Sequence, residues 1–107
     1  PWMYVSLERQ SQLCMYRFSG DAVEATAASV QETLADPKGI KPRQLAGAIH
    51  VHPDGRHVYV ANRADWTVDH QGTPVFGGGE NSIAVFAIDQ DSGKPQLIQH
   101  ADTHSIH

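Results

Sequence analysis

Ala48-Ile49-His50-Val51-His52-Pro53-Asp54-Gly55-Arg56-His57-Val58-Tyr59-Val60-Ala61-Asn62-Arg63-Ala64-Asp65 decides the fold, because it reads as a β-hairpin with a polar pair at the tip of its second strand. An apolar run stops at the turn composition Pro53-Asp54-Gly55, and an alternating strand from His57 to Ala61 leads into Asn62 and Arg63. The pattern occurs twice. Tyr4-Val5 returns as Tyr59-Val60, 55 residues on, and Cys14-Met15-Tyr16-Arg17-Phe18 returns as Ala84-Val85-Phe86-Ala87-Ile88, 70 residues on. The 15-residue difference reads as an insertion between Asp65 and Glu80, so the chain holds two copies of one strand-rich unit.

A unit of this length, built of short strands with turns between them, matches one blade of a β-propeller, and propellers close with about four to eight blades. The expected fold is therefore all-β, two four-stranded antiparallel blades of a propeller. Residues 1–36 form an incomplete blade, 37–103 a complete one with a loop insertion at 65–80, and 104–107 the start of the next. Trp2 to Leu7 reads as a second strand with no first strand ahead of it, and the chain stops where a third unit begins. A piece of a larger body is expected, or a subunit that associates, because the remaining blades or a second copy must cover its flanks.

In the first unit, strands are expected near Trp2–Leu7, Gln12–Phe18 and Ala25–Val30, with a turn at Ser19-Gly20-Asp21. The Ala- and Glu-rich run from Ala22 to Leu34 also reads as a helix. Pro37, Gly39 and Pro42 mark a connection between blades. In the second unit, strands are expected near Leu45–His52, His57–Asn62, Ser82–Asp89 and Gln96–Thr103. Both alternating sets from Ile83 to Ile88 are apolar, as in a strand covered on both faces.

With 107 residues, 40% of them hydrophobic, the chain has the size of one modest domain. A net charge of −4 without a run of Lys or Arg leaves no footprint for nucleic acid or an anionic membrane, and no apolar segment is long enough for a span. A cytoplasmic location is expected. The single cysteine, Cys14, excludes an internal disulfide and sits in an alternating apolar strand, as a buried inert thiol does.

Four stretches carry a family resemblance: His50 to Val60, Asn62-Arg63, Asn81-Ser82-Ile83-Ala84-Val85-Phe86, and Asp91-Ser92-Gly93-Lys94. In this order they resemble the lactonase family of seven-bladed propellers. The resemblance spans the chain and is most specific from Leu45 to His107. It implies a hydrolase that opens a sugar lactone such as 6-phosphogluconolactone, without a cofactor. Relatives commonly read Asn-Glu-Leu after the second strand where this chain has Leu7-Glu8-Arg9, so the acid is kept and its neighbours differ. The family's Pro-Arg-His element would lie ahead of Pro1.

Glu8 and Arg63 are one repeat of 55 residues apart, which places them at the same propeller end, and the resemblance implies that both belong to a central catalytic site. Lactone opening needs a base to activate water and a cation to stabilise the oxyanion; Glu8 suits the first role and Arg63 the second. A salt bridge between neighbouring blades is the other reading of the pair. Arg43, on the connection entering the inner strand, is a candidate substrate-binding cation or a solvated loop arginine. His50 matches a frequent family position and is a candidate channel-lining, substrate-binding residue. His50 and His52 share a face but offer only two ligands, so no metal site is expected.

The insertion, ending in Gly77-Gly78-Gly79, precedes no helix and is read as a rim or lid loop rather than a phosphate-binding loop. Its Trp66 and Phe76 either pack on a neighbouring blade or wall the pocket. His100, His104 and His107 are expected at the surface. Two other functions stay open: a lactonising cycloisomerase of the muconate type, and a propeller that serves only as a binding scaffold.

Overall fold

The computed structural model describes residues 2–38, 44–64 and 67–103. They form ten strands: β1 (Trp2–Leu7), β2 (Gln12–Ser19), β3 (Ala22–Val23), β4 (Ser29–Glu32), β5 (Gln44–Val51), β6 (His57–Ala64), β7 (Thr67–His70), β8 (Thr73–Phe76), β9 (Ser82–Ile88) and β10 (Pro95–Asp102). All pairings are antiparallel, and the described residues contain no helix. The second sheet runs β10-β9-β6-β5; the first runs β1-β2, with β3 and β4 both paired to β2.

The repeat is written into the register. In the first sheet Trp2 faces Arg17, Tyr4 faces Met15 and Leu7 faces Gln12; in the second His57 faces Ala87, Tyr59 faces Val85 and Asn62 faces Ser82. Each pair is the other moved by the two sequence offsets, so β1 corresponds to β6 and β2 to β9.

The outer strand of the first sheet is where the sequence expectation is corrected. Neither a continuous strand at Ala25–Val30 nor a helix over Ala22 to Leu34 forms. Instead β3 pairs near the end of β2 and β4 pairs Ser29 to Glu32 with Met15 to Gln12. Between Val23 and Ser29 the chain has more residues than β2 offers opposite them, so it bows outward. It stays attached through Glu24 N–H to the Arg17 carbonyl (2.9 Å) and Ala28 N–H to the Met15 carbonyl (2.8 Å). The backbone donors spent on β2 are those a helix would have used internally.

One face of each sheet meets the other. From the first sheet come Trp2, Tyr4, Ser6 and Leu13; from the second, Ala46, Val58, Val60, Ala84, Phe86 and Ile88, which with Leu13 make the buried core. The opposite face of the second sheet carries Tyr59, Ala61, Ile83, Val85 and Ala87, partly covered or exposed. The expectation of cover on both faces of β9 therefore holds on one face within this chain.

Polar contacts along the same seam fix how the sheets meet. The Tyr4 hydroxyl donates to the Gly93 carbonyl (2.5 Å) and Arg17 Nη2 to the Ser92 carbonyl (3.2 Å), so the Asp91-Ser92-Gly93-Lys94 turn is seated on β1 and β2. Burial pushes the Tyr4 hydroxyl pKa up, with a hydrogen bond involving Trp2 opposing it. The Cys14 thiol is buried and also pushed up by desolvation, which keeps it protonated and unreactive.

The insertion is not a plain loop. It folds into the β7–β8 hairpin, closed by Gln71 and Gly72, both at positive φ (53° and 83°), the geometry a two-residue hairpin turn demands. The ribbon shares no ladder with the other sheets. Trp66 and His104–His107 lie outside the described residues.

Candidate active site

Arg63 occupies the penultimate position of β6, and Glu8 follows the last residue of β1. The repeat predicts that they share one end of the two sheets, and the structure brings them together, with Arg63 Nη2 3.7 Å from Glu8 Oε2. Both side chains stay accessible, at 42% and 59% exposure respectively. An ion pair this open contributes about 0–1 kcal/mol to stability, so either partner can turn toward a ligand at small cost.

The pair borders a groove of about 620 Å³ whose other walls include Gly47, Ala48, Ala61, Ser82 and Ile83. Its shape follows from a β-bulge. Gly47 and Ala48 together oppose Ala61, which bends β5 where Arg63 crosses it. A methyl group built on Gly47 would lie 3.6 Å from Arg63 Nε, so the guanidinium stem runs directly over this backbone. The Gly47 carbonyl accepts the Ser6 hydroxyl (3.1 Å), and Ala46 N–H donates to the Glu8 carbonyl (2.8 Å). Glu8 is thus tied through its own backbone to the strand beneath Arg63.

Asn62, which the sequence groups with Arg63, borders the same groove, but its side chain is committed to a buried network. It is 3% exposed, and its side chain bonds to the end of the first sheet. Asn62 Nδ2 donates to the Thr33 carbonyl (2.8 Å) and to the Ser82 hydroxyl (3.2 Å). The Thr33 hydroxyl lies 2.7 Å from Asn62 Oδ1 and 2.9 Å from the Ser11 carbonyl, and its single hydrogen serves one acceptor at a time. His100, expected at the surface, joins this network with Nε2 2.7 Å from the Thr33 carbonyl; an acceptor-only partner places the ring proton on that nitrogen.

The other candidates separate from the pair. His50 is exposed on β5 opposite Tyr59, four positions before Arg63 on the paired strand, and does not line the groove. At about 3.3 Å per residue that is about 13 Å along the strand. His52 is a turn residue, its Nδ1 3.1 Å from Asp54 N and 3.0 Å from Asp54 Oδ1. No cluster of metal-ligating side chains occurs among the described residues. Arg43 lies outside them.

Sequence reasoning gave no role to Gln44 or Glu80, and took Asn81 only as part of a family-resemblance stretch. Gln44 Nε2 donates to the Arg63 carbonyl (3.1 Å) and the Glu80 carbonyl (2.9 Å), and its Oε1 accepts Glu80 N–H (2.7 Å). The Glu80 carboxylate accepts the backbone N–H groups of Ala35 and Asp36. Asn81 Oδ1 accepts Ala64 N–H (3.1 Å). For Gln44 and Glu80 the available signal was position, since they flank the tip of β6 and the insertion.

Against this geometry the comparisons are decisive for the family. A family model described as lactonase, 7-bladed beta-propeller, matches residues 1–107. The chain belongs to the lactonase family of seven-bladed β-propellers. A 6-phosphogluconolactonase of Bacillus subtilis is 30% identical over 102 residues, covering 95% of this chain and 24% of that protein. One from Formosa agariphila is 31% identical over 77 residues, 69% of this chain and 18% of that protein. The lactonase-family segment therefore spans about a quarter or less of the curated relatives it matches. The solved structure of a periplasmic gluconolactonase from Pseudomonas aeruginosa superposes with a TM-score of 0.75 at 24% identity, over 99% of this chain and 24% of that one, which shows the propeller fold. Among the described residues no helix is long and apolar enough to cross a membrane.

Proposed function

We propose that this segment contributes two blades and part of the active site to a complete propeller that hydrolyses a sugar lactone. The observation that carries the reading is the convergence of Glu8 and Arg63, from two different sheets, on one accessible groove. The names of the curated relatives favour 6-phosphogluconolactone as the substrate. A phosphorylated lactone is charged and stays where it is made, which favours the cytoplasm over the periplasm named for the solved neighbour.

Glu8 takes a proton from water as the oxygen bonds to the lactone carbonyl carbon. Arg63 holds the oxyanion, the ring C–O bond then breaks, and the departing ring oxygen is protonated to give the hydroxy acid. Arg43 and His50 are proposed substrate contacts, Arg43 for the carboxylate or phosphate. The blades are proposed to run 1–36 and 37–103, with 104–107 opening the next. The segment alone, lacking the remaining blades that complete the site and cover its flank, is proposed to be inactive.

The test is hydrolysis of gluconolactone and 6-phosphogluconolactone by the complete propeller and its variants. Glu8→Gln and Arg63→Ala are each expected to lower kcat about a hundredfold or more, with folding checked by circular dichroism. A folded Glu8→Gln propeller working at the unaltered rate would leave the pair as an interblade salt bridge. Activity in the isolated segment would refute the division of the site.

A further inference from the structure

We infer that Gln44 is a positioning residue for Arg63, an inference that rests on the role proposed for Arg63 above. The pairing of β9 with β6 stops at Ser82 opposite Asn62, so Arg63 and Ala64 run on past the last rung on that side. Both stay in the β5 ladder, opposite Leu45 and Gln44, but a tip paired on one side only frays unless other groups support it. On the β9 side, the Asn81 side chain supplies an acceptor to Ala64 N–H. On the β5 side, Gln44 reaches past its own pairing with Ala64 to the Arg63 carbonyl, and the same amide holds both the N–H and the carbonyl of Glu80.

Gln44 is 5% exposed and does not line the groove, so it does not meet a substrate there. Its amide makes one bond to the residue that carries the candidate cation and two to the segment returning from the β7–β8 hairpin. The Glu80 carboxylate in turn grips the backbone at Ala35 and Asp36. One buried amide therefore ties the Arg63 backbone to Glu80, and the Glu80 carboxylate extends the link to Ala35 and Asp36. The guanidinium sits at the end of a long side chain, and an error of about 1 Å at a catalytic group lowers rate by about a hundredfold.

The experiment is a double-mutant cycle in the complete propeller, with Gln44→Met and Arg63→Ala alone and combined, following kcat and KM for gluconolactone. Gln44→Met is expected to reduce kcat at least tenfold in the unaltered background, with KM changed less than threefold, and to have no further effect in the Arg63→Ala background. An equal loss in both backgrounds means that Gln44 acts on general stability, and overturns the inference. If Arg63→Ala leaves the rate unchanged, the proposed role of Arg63 fails first, and the two failures are distinct. Should Gln44→Met melt below the assay temperature, Gln44→Glu takes its place in the cycle. It keeps an acceptor for Glu80 N–H and removes the donors to the Arg63 and Glu80 carbonyls.

Discussion

Replacing Gly93 by alanine probes the seam between the sheets at its tightest point. Gly93 has φ +78°, and a Cβ built there would fall 2.3, 2.6 and 2.7 Å from Cδ2, Cε2 and Cε3 of Trp2. Two costs add. Holding a non-glycine residue in the left-handed region costs about 1–2 kcal/mol. Forcing the indole off its seat is overpacking, at about 1–3 kcal/mol, so Gly93→Ala should cost about 2–5 kcal/mol in all. Gly20→Ala is the control, because Gly20 has φ +62° with nothing within 4 Å of a built Cβ and bears only the backbone cost. Urea unfolding of the complete propeller measures both. In a Trp2→Ala background the clash is gone, and Gly93→Ala should fall to the Gly20→Ala value. Equal costs for Gly93→Ala and Gly20→Ala in the unaltered background would refute the contact, and with it the seating of the Asp91–Lys94 turn on the first sheet.

Two further outcomes are expected. Thr33→Val keeps the shape of the side chain but leaves the buried Asn62 Oδ1 without its donor, for a loss of about 1–3 kcal/mol by urea unfolding; no measurable change would remove Thr33 from the interblade lock. The Asp89 carboxyl is held below the ordinary carboxylate range by backbone N–H groups of Ser92 and then Asp91. Its folded pKa is lower than its unfolded one, so its contribution is present above the unfolded value and lost as pH falls toward the folded one. Asp89→Asn should therefore flatten the acid side of the stability profile, below about pH 5, and an unchanged slope there would contradict the assignment.

The repeat was legible because strand pairing has a fixed period. Two offsets read from Tyr4-Val5 and Cys14 to Phe18 reproduce every rung between β1 and β2 and between β6 and β9, and they bring Glu8 and Arg63 to one end. The outer strand of the first sheet was harder to read, since the run from Ala22 to Leu34 has no clean alternation and pairs in two short pieces. The insertion concealed a hairpin because Gln71-Gly72 lacks the Asn-Gly or Asp-Gly signature that usually marks such turns. The amide clamps of Gln44 and Asn81, and the Thr33, Asn62 and His100 network, leave no periodic trace. They join side chains to backbone groups 17 to 67 residues away, and only the folded topology sets those partners side by side.

The two ends of the sheets differ in a way that explains where a site can form. At one end β5 and β6 are closed by a local turn whose polar groups satisfy one another: His52 N–H bonds to the His57 carbonyl, Gly55 N–H to the His52 carbonyl, and Arg56 N–H to Asp54 Oδ1. Such a turn draws on its own residues. At the other end the chain passes between sheets and into the insertion, so the tip of β6 outruns its ladder with β9 while still paired to β5, and side chains from distant segments take up the backbone groups on the open side. That requirement gathers Gln44, Glu80 and Asn81 around the tip of β6, and the same convergence sets Glu8 of one sheet beside Arg63 of the next. Tyr59 meanwhile stands on the second sheet where Tyr4 stands on the first, on the face left open here. A following blade seated there as the second sheet is seated on Tyr4 would bring its own inner strand up to Arg63, so closing the ring and completing the groove are one step.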